Sequence, residues 1–276
     1  MSKPNMHQSD VSMMLRCGFD YYLTRVMGKR KPPVVRMVEG TAVHKAGEFN
    51  LLSKIDSGAL LPESDVLDIA RDSLNEEWDV EGISLSGEEK AAGEKKVKGL
   101  ATDAAIRMAQ CEHRNLAPAI DPLYVERPFR LEHPSLPFNI QGTIDTQALV
   151  DGGTALRDRK TARVAPPNSR AHTSMQLTIY SLGLKTLDGV PPKEIYLDTI
   201  VDAKSGPRLV THSTERTQED YRMELDRMTL VYDAAAKGVF LPADPGDWKC
   251  SREYCRHWQD ECPYGRRNRK RMDHIF

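Results

Sequence analysis

Apolar residues recur at helical spacing over 10–27, DVSMMLRCGFDYYLTRVM, after a capping signal at Ser9/Asp10, which predicts a first helix. A basic, proline-containing link, GKRKPP, leads to a second helix that opens at Gly40-Thr41 and carries His44 in its first turns. Residues 63–80 and 87–112 continue the helical pattern with heavily charged faces. From Leu123 the texture changes. LYVERPFRL, PFNIQGTIDTQALV and TALRDRKTA have the β-branched and aromatic content of strands. SRAHTSMQLTIYSLGLKTL returns to helix, KEIYLDTIVD to strand, and TQEDYRMELDRMTLVYDAAAKGVF is an amphipathic helix. The plan is α/β: helices, a central sheet meander, a helix on it, and a cysteine-rich tail.

Composition narrows the setting. Lys plus Arg (39) nearly balances Asp plus Glu (40), so a polyanionic partner must be met by a local basic face rather than by the whole-molecule field. The first residues lack the apolar core of a signal peptide, and no apolar run approaches the roughly 20 residues of a membrane span. A reducing cytoplasm is the expected location. Five cysteines are then poor disulfide candidates, and three of them crowd near the C-terminus, which suggests a metal.

The chemistry gathers around GTIDTQALVDGGTALRDRKTA, residues 142–162. Asp-Gly as a two-residue loop predicts a type I′ hairpin. With Asp151-Gly152 as the loop, opposed positions sum to 303 and Asp145 faces Asp158. With Gly152-Gly153 as the loop, Asp145 faces Lys160 instead. Either register clusters two acids and a lysine, because positions 158 and 160 share a face. Two such carboxylates repel unless a hard cation lies between them. A surface hairpin whose Asp and Lys simply pair is the plain alternative. His44 is a further candidate ligand. His172, Gln176 and Tyr180 fall at i, i+4 and i+8, a stripe suited either to hydrogen bonding a substrate or to facing solvent.

The ordered series Gly40…His44, Gly142-Thr-Ile-Asp145, Asp158-Arg-Lys160-Thr161 and Gln176…Tyr180 resembles the RecB-like branch of the PD-(D/E)XK nucleases. The resemblance spans most of the chain. It implies a restriction-endonuclease-like core, a mixed central sheet flanked by helices, in a single nuclease domain over 1–276. Residues 53–115 would be a helical insertion or cap and 245–276 a metal-binding, basic tail. It further implies that His44, Asp145, Asp158 and the carbonyl of Arg159 hold Mg²⁺ or Mn²⁺. Lys160 would act on the attacking water, with Gln176 and Tyr180 positioning groups and DNA, and Glu126 in a minor role. One departure stands out: Arg157 and Arg159 occupy the strand face that is usually apolar. Either that strand is partly exposed or neighbouring acids pair the arginines.

Cys250, Cys255 and Cys262 form a C-x4-C-x6-C run. With Cys17 they match the one-early, three-late arrangement by which AddB-type and CRISPR-associated members hold a [4Fe–4S] cluster, leaving Cys111 as an ordinary thiol. Zinc bound by the three late cysteines and either Cys17 or His257 is the rival. Arg266, Arg267, Arg269, Lys270 and Arg271, together with the GKRK at 28–31, form candidate phosphate contacts. Trp248, Tyr254, Trp258 and Tyr264 either stack on single-stranded bases or pack around the metal. The expected activity is DNA exonuclease action in processing, recombination or repair, with a helicase or recombination partner and no membrane. The alternatives are a non-catalytic DNA-binding or scaffold subunit and a structural zinc protein.

Overall fold

The computed structural model describes residues 3–251, 254–258 and 261–264. They fall into two compact units, one of Pro32–Glu132 with Gln141–Arg222, the other drawn from 1–31, 133–140 and 223–276.

The terminal unit starts with β1 (Asn5–Met6), α1 (Gln8–Arg16) and α2 (Gly18–Tyr21), then a π-helical turn, Tyr22–Val26. The continuous helix predicted over 10–27 is broken at Cys17, whose backbone is extended (φ −162°, ψ 102°). The cause is a close approach. The Gly18 amide donates to the Leu241 carbonyl at 2.7 Å, and a Cβ on Gly18 would lie 2.8 Å from the Leu241 nitrogen. Only glycine fits there.

The larger unit opens with α3 (Val35–Ser57), α4 (Glu63–Glu81), α5 (Gly87–Ala92) and α6 (Glu94–Asn115). Helix α3 begins before Gly40, where the sequence pattern placed its start. Small and β-branched residues let α3, α4 and α6 approach closely: Val38, Ala42, Val43, Leu74, Trp78, Ala105 and Met108 form one buried cluster with Ile200 of the sheet. Thus α4 and α6, within the expected cap segment, share a core with α3 and the sheet.

The strands are β2 (Pro122–Leu131), β3 (Asn139–Val150), β4 (Gly153–Ala162), β5 (Glu194–Ala203) and β6 (Gly206–Thr214). β3 pairs antiparallel with β4, β4 parallel with β5, and β5 antiparallel with β6. β2 also pairs with β3, and β1 runs parallel to its first residues. The sheet is mixed. Parallel neighbours need a crossover, and α7 (Ser169–His172) with α8 (Met175–Asp188) supplies it between β4 and β5; α9 (Gln218–Ala236) follows β6.

Val150 pairs with Gly153, so Asp151-Gly152 is the hairpin loop and opposed positions sum to 303. The turn is not type I′, however. That turn needs two left-handed residues, and only Gly152 (φ 68°) is left-handed in this loop.

Candidate active site

Helix α3 crosses β4 at two glycines. A Cβ on Gly40 would sit 3.2 Å from the Thr161 hydroxyl, and one on Gly47 would overlap the Arg159 guanidinium and the Glu112 carboxylate. Between them His44 looks onto Asp145 of β3, with Nδ1 3.7 Å from Oδ2. The β3–β4 ladder is registered from Thr146↔Arg157 to the loop. Beyond it, Asp145 Oδ2 accepts the Arg159 backbone N–H at 3.0 Å.

Asp158 and Lys160 follow on β4. Lys160 Nζ donates to Asp158 Oδ1 at 2.8 Å, while Asp158 Oδ2 is buried with no hydrogen-bond partner. A buried orphan acceptor costs roughly 1–3 kcal/mol, and more when charged. Glu126 bends β2. At φ 49° it is the one non-glycine residue with positive φ among those described, a conformation that costs on the order of 1–3 kcal/mol. Its carboxylate joins His44 and Asp145, the three ligand atoms lying within 4.8 Å of one another. An imidazole and two carboxylates, beside an unpartnered buried carboxylate oxygen, are a donor set that fits a divalent cation such as Mn²⁺ or Mg²⁺.

The protonation pattern follows from burial. Burial, reinforced by the Arg159 charge, lowers His44 to about 4, so its imidazole is neutral and able to ligate. Burial and Asp145 raise Glu126 to about 7. Asp158 is also raised by burial to about 7, against the pull of Lys160. Burial opposes the Lys160 charge, but Asp158 and Asp145 outweigh it and hold the ammonium protonated beyond its ordinary range.

A model of the PD-(D/E)XK nuclease superfamily matches residues 6–266. The chain belongs to this superfamily. Among solved structures, it is similar to a candidate exonuclease from Eubacterium rectale, with 11% identity over 96% of this chain and 88% of that one and a TM-score of 0.53, a likeness of fold. SSO0001 aligns over 93% of this chain and 95% of its own at 13% identity, with a TM-score of 0.35, too low to bear on the fold. No curated protein matches the sequence.

In this PD-(D/E)XK protein, Gln176 Nε2 donates to Tyr180 Oη at 2.9 Å, and burial pushes the phenol up to about 12. The stripe expected from His172 is broken. His172 ends α7, its Nδ1 is 3.0 Å from the Thr214 hydroxyl, and α8 starts afresh at Met175 behind the Ser174 cap. Arg216 fixes that break by donating to the carbonyls of Ala171 and Ser174 and to the Thr178 hydroxyl. The arginines of β4 are paired rather than exposed. Arg157 bonds the buried Asp198 at 2.7 Å and Arg159 bonds Glu112 at 2.7 Å. Sequence reasoning passed over Glu112 and Gly47, although a glycine inside a helix, one turn past His44, signals a close approach. It also passed over Phe129, whose ring crowds Gly142 and Gly183 and meets Tyr180 edge-on at 5.9 Å.

In the terminal unit, Cys17 Sγ accepts the Ala243 N–H at 3.3 Å. Burial raises the thiols of Cys250 and, to about 11, Cys255, and both also feel Cys17 and Cys262. The four thiols are electrostatic neighbours. His257 Nδ1 is 3.0 Å from Glu261, and its Nε2 is 3.1 Å from the Thr24 hydroxyl and 3.6 Å from Asp20. Cys111 is buried elsewhere, beside Asn115. Trp248 and Tyr254 pair edge-on at 4.6 Å and are exposed, while Tyr264 packs on Phe19. Of the GKRK segment, Lys29 is 3.4 Å from Glu261. Arg266, Arg267, Arg269, Lys270 and Arg271 lie outside the described residues. Among the described residues, no helix is long and apolar enough to cross a membrane.

Proposed function

We propose that this chain is a RecB-like, Mg²⁺- or Mn²⁺-dependent DNA exonuclease. The observation that carries the reading is the convergence of His44, Glu126 and Asp145 beside the unpartnered oxygen of Asp158. These residues, with the Arg159 carbonyl, would hold the cation, which when bound lowers the pKa of a water and offsets charge on a phosphate. The protein's own groups do the rest. The Arg159 N–H fixes the orientation of Asp145. His44 is neutral near pH 7, so no proton competes for its lone pair. Lys160 has a side chain 41% exposed and stays protonated, which suits it to steady phosphate charge or orient the attacking water rather than to take its proton. Gln176 and Tyr180 together offer donors at the rim.

Cys17, Cys250, Cys255 and Cys262 would hold a [4Fe–4S] cluster with a structural role, tying the Cys17 break between α1 and α2 to the late cysteines. The likeness to a candidate exonuclease supports digestion from DNA ends. A role in recombination, repair or phage DNA processing, beside a helicase or recombination partner, follows from the RecB-like motifs. The test is digestion of linear and covalently closed circular DNA, single- and double-stranded, by protein purified without oxygen. Metal-dependent loss of the linear forms with survival of the circles is expected. Equal cutting of circles contradicts the exonuclease assignment.

A further inference from the structure

Arg159 brings a permanent positive charge beside a site built to receive a cation. Its backbone N–H touches Asp145, and its side chain is 2% exposed, so water cannot screen the guanidinium. Its Nε and Nη2 are buried without hydrogen-bond partners, while Nη1 donates to Glu112 Oε1 at 2.7 Å. Glu112 is itself only 5% exposed at the side chain. Stability gives little reason for such a pair, since well-packed apolar residues often serve as well or better. The chain nevertheless carries a glycine at 47, inside α3, where any Cβ would overlap both members of the pair. Glycine within a helix is destabilising relative to alanine. The pair is therefore accommodated at a cost, where the Arg159 charge reaches Asp145, Glu126 and His44.

We propose that Glu112 is a positioning residue for the cation site that acts through charge: it cancels Arg159, so that Asp145, Asp158 and Glu126 present their negative charge to a divalent metal undiminished. Without Glu112, an unpaired guanidinium would repel that metal. The inference rests on the reading of His44, Asp145 and their neighbours as a cation site.

The test is Mn²⁺ titration of the purified full chain, free Mn²⁺ being read by electron paramagnetic resonance and folding by circular dichroism. The variants are Glu112→Gln, Arg159→Met and the double variant Glu112→Met/Arg159→Met. Glu112→Gln should weaken Mn²⁺ binding at least tenfold. Arg159→Met should bind as tightly as wild type or tighter, and the double variant should return to within threefold of it. A purely structural role predicts the opposite for the last two, because both dismantle the pair. Folded Glu112→Gln with wild-type affinity overturns the proposal, as does a folded double variant that has lost Mn²⁺. If Glu112→Gln does not fold, Arg159→Met and the double variant decide by the same criteria. Failure of the wild type to bind Mn²⁺ overturns the site reading itself, and this inference with it.

Discussion

The Arg159 backbone N–H lies 3.0 Å from the Asp145 carboxylate, and this one bond joins the two strands of the hairpin where their ladder gives way to the site. Asp145 is thereby held in place before any ligand arrives, with one carboxylate oxygen committed to the protein and also facing His44. Asp145→Asn keeps an oxygen for the N–H but removes the charge. It should cost no more than about 1 kcal/mol of stability while weakening Mn²⁺ binding more than tenfold. Urea denaturation and Mn²⁺ titration on the same preparation separate the two effects.

Gly47→Ala tests the packing of α3 over the Arg159–Glu112 pair. The new methyl overlaps both side chains, so a loss of about 1–3 kcal/mol is expected. Gly99, on α6, meets nothing within 4 Å, and Gly99→Ala should stabilise by about 0.5–1 kcal/mol. Chemical denaturation of the two variants should show shifts of opposite sign.

The buried acids set a pH dependence. Glu126 and Asp158, raised to about 7, bind more protons in the folded metal-free protein than in the unfolded chain between about pH 4 and 7. Their contribution to stability is therefore full at low pH and lost as pH rises through 7. His44, lowered to about 4, acts in the opposite sense between pH 4 and 6.5, but it is one group against two. Metal-free protein should melt at a lower temperature at pH 8 than at pH 5, and Glu126→Gln should reduce that difference. Added Mn²⁺ should raise the melting temperature at pH 8 and scarcely at pH 5, because protons compete for the same oxygens.

Cys255→Ser should lose bound iron and the brown absorbance of an iron–sulfur protein, since Cys255 shares its surroundings with Cys17 and Cys262. Cys111→Ser is the control. Cys111 lies within the helical core and bonds Asn115, so its replacement should leave iron content unchanged. Zinc in place of iron in the wild type contradicts the cluster assignment.

Much of the hairpin is legible locally. A two-residue glycine-containing loop and the alternation of side chains narrow the register to two, either of which brings Asp145, Asp158 and Lys160 to one place; the pairing of Val150 with Gly153 selects between them. The turn type is less legible, because Gly152 alone adopts the left-handed conformation. What escapes the sequence is fixed by distant partners. The break at Cys17 depends on the backbone of Leu241, and the split between His172 and α8 on Arg216. Glu112 reads as one more charge on a charged helix until β4 brings Arg159 beneath it. Strand β6, mostly half-buried, has neither the clean alternation nor the apolar run that marks its neighbours.

The most direct measurement is single-turnover cleavage of end-labelled linear DNA by wild type and Lys160→Ala, each with Mn²⁺ and with chelator. Lys160 touches Asp158 yet stands partly exposed, so its loss should spare the fold and strike the chemistry. The account predicts Mn²⁺-dependent cleavage by the wild type and a rate at least about 100-fold lower for the variant, the scale of losing one charge-stabilising donor. Equal cleavage by both proteins, or cleavage that persists in chelator, contradicts it.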